Sequence, residues 1–263
     1  MNAYFALLSA QFRMLLQYRA AAYAGVATQI FWGLIKMAAL TAFFKISRSA
    51  HPINLSQTIA YIWICQALFH LEPLRPDLEV RAMIREGHVS YELLKPIELF
   101  GLWLARAVAF RTAPTAIRAP FILTLALVMG WLPAPHGFVE GVMALLSLGL
   151  AIFIAAGITC IITISMLWTV SPDGLAQVLA AITWSFSGLI VPLPLMPDWL
   201  QPVMFFLPFR GIFDTPIRIY LGHYTSNAAY FALMHQVIWV GILALLGRQL
   251  LKTGMRRLTI AGG

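Results

Sequence analysis

The residues of this chain with the clearest capacity for chemistry are its charges, and the densest group of them lies in one place. From Asp77 to Lys95 the sequence reads DLEVRAMIREGHVSYELLK, with hydrophobic runs on either side. The chain as a whole is 60% hydrophobic and only 11% charged. Charge is expensive inside a bilayer. A cluster this dense therefore stands in water, where another molecule can touch it, and its chemistry is that of docking a soluble partner.

The sequence carries no catalytic engine. It lacks the GxxxxGK[ST] loop that cradles nucleotide phosphates, and it lacks HExxH and CxxC. His51, His70, His88, His136, His223 and His235 are scattered without metal-ligand spacing, so no metal site and no bound cofactor are expected. Serines, histidines and acids are present, but no local motif joins a nucleophile to a base. Four polar residues inside hydrophobic runs remain as candidates for a translocation path. Lys36 lies slightly outward of the middle of the first run, and either faces the path or extends its stem toward the outer surface. Gln66, His70 and His235 either line the path or satisfy interhelical hydrogen bonds.

The elements that would position these residues are membrane helices. A spanning helix needs about 20 apolar residues, and six stretches qualify: Tyr23 to Phe44, Gln57 to Leu74, Thr112 to Trp131, Val142 to Trp168, Leu175 to Val191, and Asn227 to Gly247. With a mean hydropathy of +0.81, the expectation is an all-α polytopic protein forming one domain over residues 1–263. The net charge of +8 reports topology rather than a nucleic-acid ligand. With the N-terminus inside, Arg13, Arg19, Arg75, Arg81, Arg85, Lys95, Arg106, Arg111, Arg118, Arg248, Lys252, Arg256 and Arg257 all fall on the inner side. Only Lys45, Arg48, Arg210 and Arg218 fall outside. That asymmetry predicts both termini in the cytoplasm. On this topology all ten acidic residues fall at or beyond span ends. Cys65 and Cys160 lie within spans and read as small hydrophobes.

Local patterns refine the picture. Residues 1–19 form an expected interfacial helix, with Phe5, Leu8, Phe12 and Leu15 on one side and Ser9, Arg13 and Gln17 on the other. In the charged island, Pro76 suits a first helical turn, Gly87 a left-handed helix end, Ser90 a second short turn, and Pro96 the start of the next helix. From Ile97 to Leu132 the chain reads as one long helix in which Pro114 and Pro120 can introduce kinks. Ser147, Ala151, Ala155, Thr159 and Thr163 recur at four-residue steps, a seam for close helix packing. Ser171 to Gly174 reads as a tight turn. The stretch from Gly188 to Gly222 is apolar but broken by Pro192, Pro194, Pro197, Pro202, Pro208 and Pro216, which predicts short outer re-entrant helices over residues 192–222.

With these residues in view, the chain resembles the permease subunit of ABC type-2 exporters, of the uncharacterised or multidrug-type branch. IREGHVSYELLKP (Ile84 to Pro96) is similar to that family's glutamate-glycine pattern followed by a leucine pair and a proline. SGLIVPLPLMPDWLQPVMFFLP (Ser187 to Pro208) is similar to its signature after the fifth span, with Gly188, Pro192, Pro197, Trp199 and Pro208 at the matching positions. The resemblance implies that residues 75–95 are a cytoplasmic coupling segment seated on a separate ATPase, which holds ATP and Mg. It implies Arg81, Arg85, Glu86, His88 and Glu92 as the contacting side chains and Gly87 as the corner. It also implies a second permease subunit, identical or homologous, surrounding membrane lipids, and a bacterial inner-membrane location. A stand-alone secondary transporter or channel is the alternative, and a membrane enzyme ranks third.

Overall fold

The computed structural model describes residues 3–16, 19–47, 51–73, 77–86, 88–89, 92, 97–169, 173–224 and 226–256. Arg48, Arg75, Pro76, Gly87, Ser90, Lys95, Pro96, Ser171, Pro172 and Arg257 lie outside the described residues. Among those described the protein is all-α, with no strand. Ten helices follow in order: α1 (Ala3–Leu16), α2 (Arg19–Ile46), α3 (Leu55–Ala67), α4 (Leu78–Arg85), α5 (Leu99–Val128), α6 (Phe138–Ile164), α7 (Asp173–Phe186), α8 (Gln201–Phe206), α9 (Asp214–Tyr220) and α10 (Ser226–Met255). Single 3-10 turns extend α3 and α6 and punctuate the chain around α8.

Three helical stretches are long and apolar enough, by length and composition, to cross a membrane: Tyr23–Ile46, Phe138–Leu167 and Asn227–Met255. The other three expected spans depart from that simple form. The second stays α-helical only from Leu55 to Ala67, about 20 Å at 1.5 Å per residue, then tightens into a 3-10 turn at Phe69–Leu71. The fifth is helical for 14 residues and gives way at Ser187. The third has ample length, about 45 Å, but carries Arg106, Arg111 and Arg118. Its helix is shorter than the Ile97 to Leu132 of the sequence reading, and it runs unbroken through both prolines. The hydroxyls of Thr112 and Thr115, on either side of Pro114, donate to the Val108 and Arg111 carbonyls in the preceding turn.

Other starts and stops have visible causes. Asn54 and Gln57 exchange side-chain bonds with each other's backbone N–H at 2.8 and 3.1 Å, a capping box that begins α3. α4 begins after Asp77, whose carboxylate accepts from the Glu79 and Val80 N–H groups, so an aspartate cap marks its first turn. Asp173 and Gly174, expected in a turn, are already the first residues of α7.

Packing centres on α6, which contacts α5, α9 and α10. All five residues of its four-step seam are at most 2% exposed. The seam spreads its contacts along the bundle: Ser147 meets Gln236 of α10, Thr159 meets Arg111 of α5, and Thr163 meets the chain at Asp77. One large apolar cluster joins α3, α6 and the region around α9. A second gathers Val80, Val89, Phe100, Trp103, Ile164 and Leu251, and thereby seats α4 on the ends of α5, α6 and α10. α1 packs along α5, with Leu8 and Phe12 half-buried and Arg13 exposed.

Candidate functional site

The charged island has an inner, anchored face and an outer, exposed one. Val80 is fully buried, and Met83 and Ile84 are half-buried beside it. On the other side Leu78 is 68% exposed, and Glu79, Ala82, Arg85 and Glu86 are exposed with it. His88 is also exposed, with Nδ1 3.2 Å from the Glu86 carboxylate. Leu78, Ala82 and Glu86 stand four residues apart, so they form one stripe. Leu78 was not singled out in the sequence, where an aliphatic residue among charges reads as the helix's inward side.

Two of the proposed contact residues are turned to internal work. Arg81 makes a two-pronged ion pair with Asp173, at 3.0 and 3.1 Å, which ties α4 to the start of α7. Glu92 is 5% exposed and accepts a 2.8 Å bond from the Trp103 indole. Through that bond it is tied to α5. Its contribution is to positioning the segment.

The base of α4 is gripped from two helices. Arg106 of α5 donates to Asp77 at 2.9 Å and also to Glu79. Burial works against the Arg106 charge, but these bonds hold its pKa above the usual arginine range. The Asp77 N–H donates to Thr163 of α6 at 3.3 Å. One and a half turns along α5, Arg111 is 4% exposed; it donates to the Glu72 carbonyl and, at 2.7 Å, to Thr159 of α6. Two arginines of α5 and two threonines of α6 therefore hold the chain at both ends of residues 72–77. Arg118, seven residues beyond Arg111 on the same face, bonds His70.

Two acidic residues stand at helix ends but not in water: Glu72 follows the 3-10 turn after α3 and Asp214 begins α9, yet each is 1% exposed. Both carboxylate oxygens of Glu72 lack a hydrogen-bond partner among the described residues, and Arg111 and Lys36 compensate its charge through space. The i, i+7 arrangement of Arg111 and Arg118 was the visible signal. Their acidic and histidine partners lie 39 and 48 residues away, beyond any local pattern.

At the other end of the bundle, the outer motif is built around Gly188. Its φ of +87° is a left-handed conformation, and a Cβ there would stand 2.0 Å from the Tyr61 hydroxyl. That hydroxyl donates to Asp214 at 3.1 Å, and the Asp214 N–H bonds the Ser187 carbonyl. Lys36 reaches the same corner: its Nζ donates to the Leu189 carbonyl at 3.0 Å. Pro192 is buried and precedes the 3-10 turn Leu193–Leu195; Pro197 and Trp199 are exposed; Pro208 is buried just before the turn Phe209–Gly211.

The four polar candidates have different neighbours. Lys36 joins the Gly188 corner. Gln66 is 2% exposed, with its amide nitrogen unpartnered, and packs beside Gly33 of α2. His70 faces Arg118. His235 lies near the end of α8, where the Trp239 indole donates to its Nε2 at 3.1 Å.

Against known proteins, the sequence model of a family described as ABC-2 family transporter protein matches residues 41–262. No curated protein sequence matches the chain.

Proposed function

The chain belongs to the ABC-2 family transporter proteins, and from that premise we propose that it exports an amphipathic or hydrophobic substrate, driven by ATP hydrolysis on a separate cytoplasmic ATPase. In this reading it sits in a bacterial inner membrane, with six crossings, both termini in the cytoplasm and lipid around its apolar faces. A second permease subunit completes the pore. The observation that carries the proposal is α4: a short helix anchored by Val80, presenting Leu78, Arg85 and Glu86 outward to water. Leu78 supplies apolar contact, while Arg85, Glu86 and His88 supply register. The same helix is fastened at its base to α5 and α6 through Arg106, Arg111, Thr159 and Thr163. A push on α4 by the ATPase therefore moves membrane helices instead of bending a loop.

A secondary transporter would place coupling-ion sites at buried acids. Glu72 and Asp214 are buried, but each has an arginine beside it, Arg111 and Arg218, which favours structural charge compensation.

The test is co-purification with the partner ATPase. The combined substitutions Leu78→Asp, Arg85→Ala and Glu86→Ala are expected to reduce recovery of the ATPase at least tenfold while leaving the permease folded. Undiminished recovery would remove α4 from the docking role. For the outer corner, Lys36→Met is expected to alter substrate-stimulated ATPase activity, because the Leu189 carbonyl loses its tether to α2. Wild-type stimulation would return Lys36 to a purely structural place.

A further inference from the structure

Arg210 is the least expected charge in the molecule. It is 3% exposed, and no carboxylate stands within ion-pair distance of it among the described residues. Its guanidinium lies over the Phe205 ring at 4.1 Å and donates one bond, of 2.9 Å, to the Tyr224 hydroxyl. Its buried Nε has no partner. Arg218 lies nearby, over the Tyr224 ring at 4.5 Å, and its Nε is also buried without a partner. The one acid between them, Asp214, already accepts from Tyr61 and stands 3.7 Å from Arg218. A cavity of about 60 Å³ opens among Gln201, Phe205, Arg210, Asp214 and Arg218. That is several times the roughly 10–15 Å³ one water requires.

Among the described residues that line the cavity, two guanidinium groups face one carboxylate, Asp214; the next acid, Asp198, is exposed and accepts from Gln201 at 3.4 Å. Burying an arginine without a counter-charge is strongly unfavourable. Planar guanidinium donors match the oxygens of carboxylates and phosphates. We propose that this pocket, between α8 and α9, binds one anionic group, a carboxylate or a phosphate, with Arg210 as its principal ligand and Arg218 as the second. The Phe205 and Tyr224 rings hold the two cations in place from behind. The group belongs either to a free anion or to the head of an anionic lipid, and neither source depends on the ATPase.

The full chain, purified in neutral detergent, is titrated with inorganic phosphate against chloride at equal ionic strength. In parallel it is placed in nanodiscs of phosphatidylcholine with or without phosphatidylglycerol. A phosphate-dependent rise in melting temperature, lost in Arg210→Met, assigns the pocket to a free anion. A rise with phosphatidylglycerol alone, again lost in Arg210→Met, assigns it to a lipid headgroup. No rise in either arm, or an equal rise in wild type and Arg210→Met, overturns the proposal. If Arg210→Met does not fold, Arg218→Gln takes its place, since that side chain is 27% exposed. At least tenfold weaker binding is then expected, and unchanged binding overturns the proposal equally.

Discussion

Replacing Arg111 by leucine is expected to destabilise the protein by about 2–5 kcal/mol. The buried Glu72 carbonyl and Thr159 hydroxyl lose their charged donor, at roughly 1–3 kcal/mol each. The Glu72 carboxyl, 1% exposed and without a hydrogen-bond partner among the described residues, also loses a nearby positive charge. Adding Glu72→Leu to Arg111→Leu is therefore expected to restore part of the lost stability, because a leucine there leaves no unpartnered polar group. Thermal melting of the purified single and double variants reads this directly. Equal losses in the two would show that Arg111 acts through packing and its two hydrogen bonds, not through charge. The position also bears on function, since residues 72–77 lead directly into α4.

The second large effect is expected at the opposite end of the bundle. Gly188→Ala forces an L side chain into a left-handed backbone conformation, at roughly 1–2 kcal/mol. Its Cβ also displaces the Tyr61 hydroxyl, which leaves the buried Asp214 carboxylate short of a donor, at roughly 1–3 kcal/mol. The combined loss, about 2–5 kcal/mol, is expected to appear as a lower melting temperature and as increased protease cleavage between Ser187 and Tyr220. Because the two terms share one contact, Gly188→Ala and Tyr61→Phe should not add. Once the hydroxyl is gone, alanine at 188 should cost appreciably less than it does in the wild-type background. Full additivity would mean that the glycine is required for its backbone alone.

Both effects arise where distant parts of the chain meet, and this separates what was readable in the sequence from what was not. Periodic features were legible. The four-step seam from Ser147 to Thr163 is buried along its whole length. Within the amphipathic pattern of residues 1–19, Ala3–Leu16 is an α-helix with Leu8 and Phe12 half-buried. The proline-rich run after Gly188 is a set of short helical turns. Each of these depends on spacing within a single element, and spacing is a property of the chain itself.

The charged residues were harder to place. Arg81, Arg85, Glu86, His88 and Glu92 look equivalent in sequence. In the structure Arg81 is paired with Asp173, Glu92 is bonded to Trp103 inside the core, and only Arg85, Glu86 and His88 are exposed. Leu78 joins that exposed face although its apolar character suggested the reverse. The island is too short for helical phase alone to say which side is inward. Val80 decides it by entering the cluster formed by α5, α6 and α10.

The sequence by itself determined the helical class and the break in regular helix after Ser187, because hydropathy and backbone freedom act residue by residue. Only the tertiary structure decided that Arg111 bonds the Glu72 carbonyl, that Lys36 ends on the Leu189 carbonyl, that Tyr61 fills the space left by Gly188, and that buried Arg210 has no carboxylate within ion-pair distance among the described residues. A buried charge is stable only with a partner, and that partner is supplied by whichever helix packs alongside, 39 residues from Glu72 and 153 from Lys36.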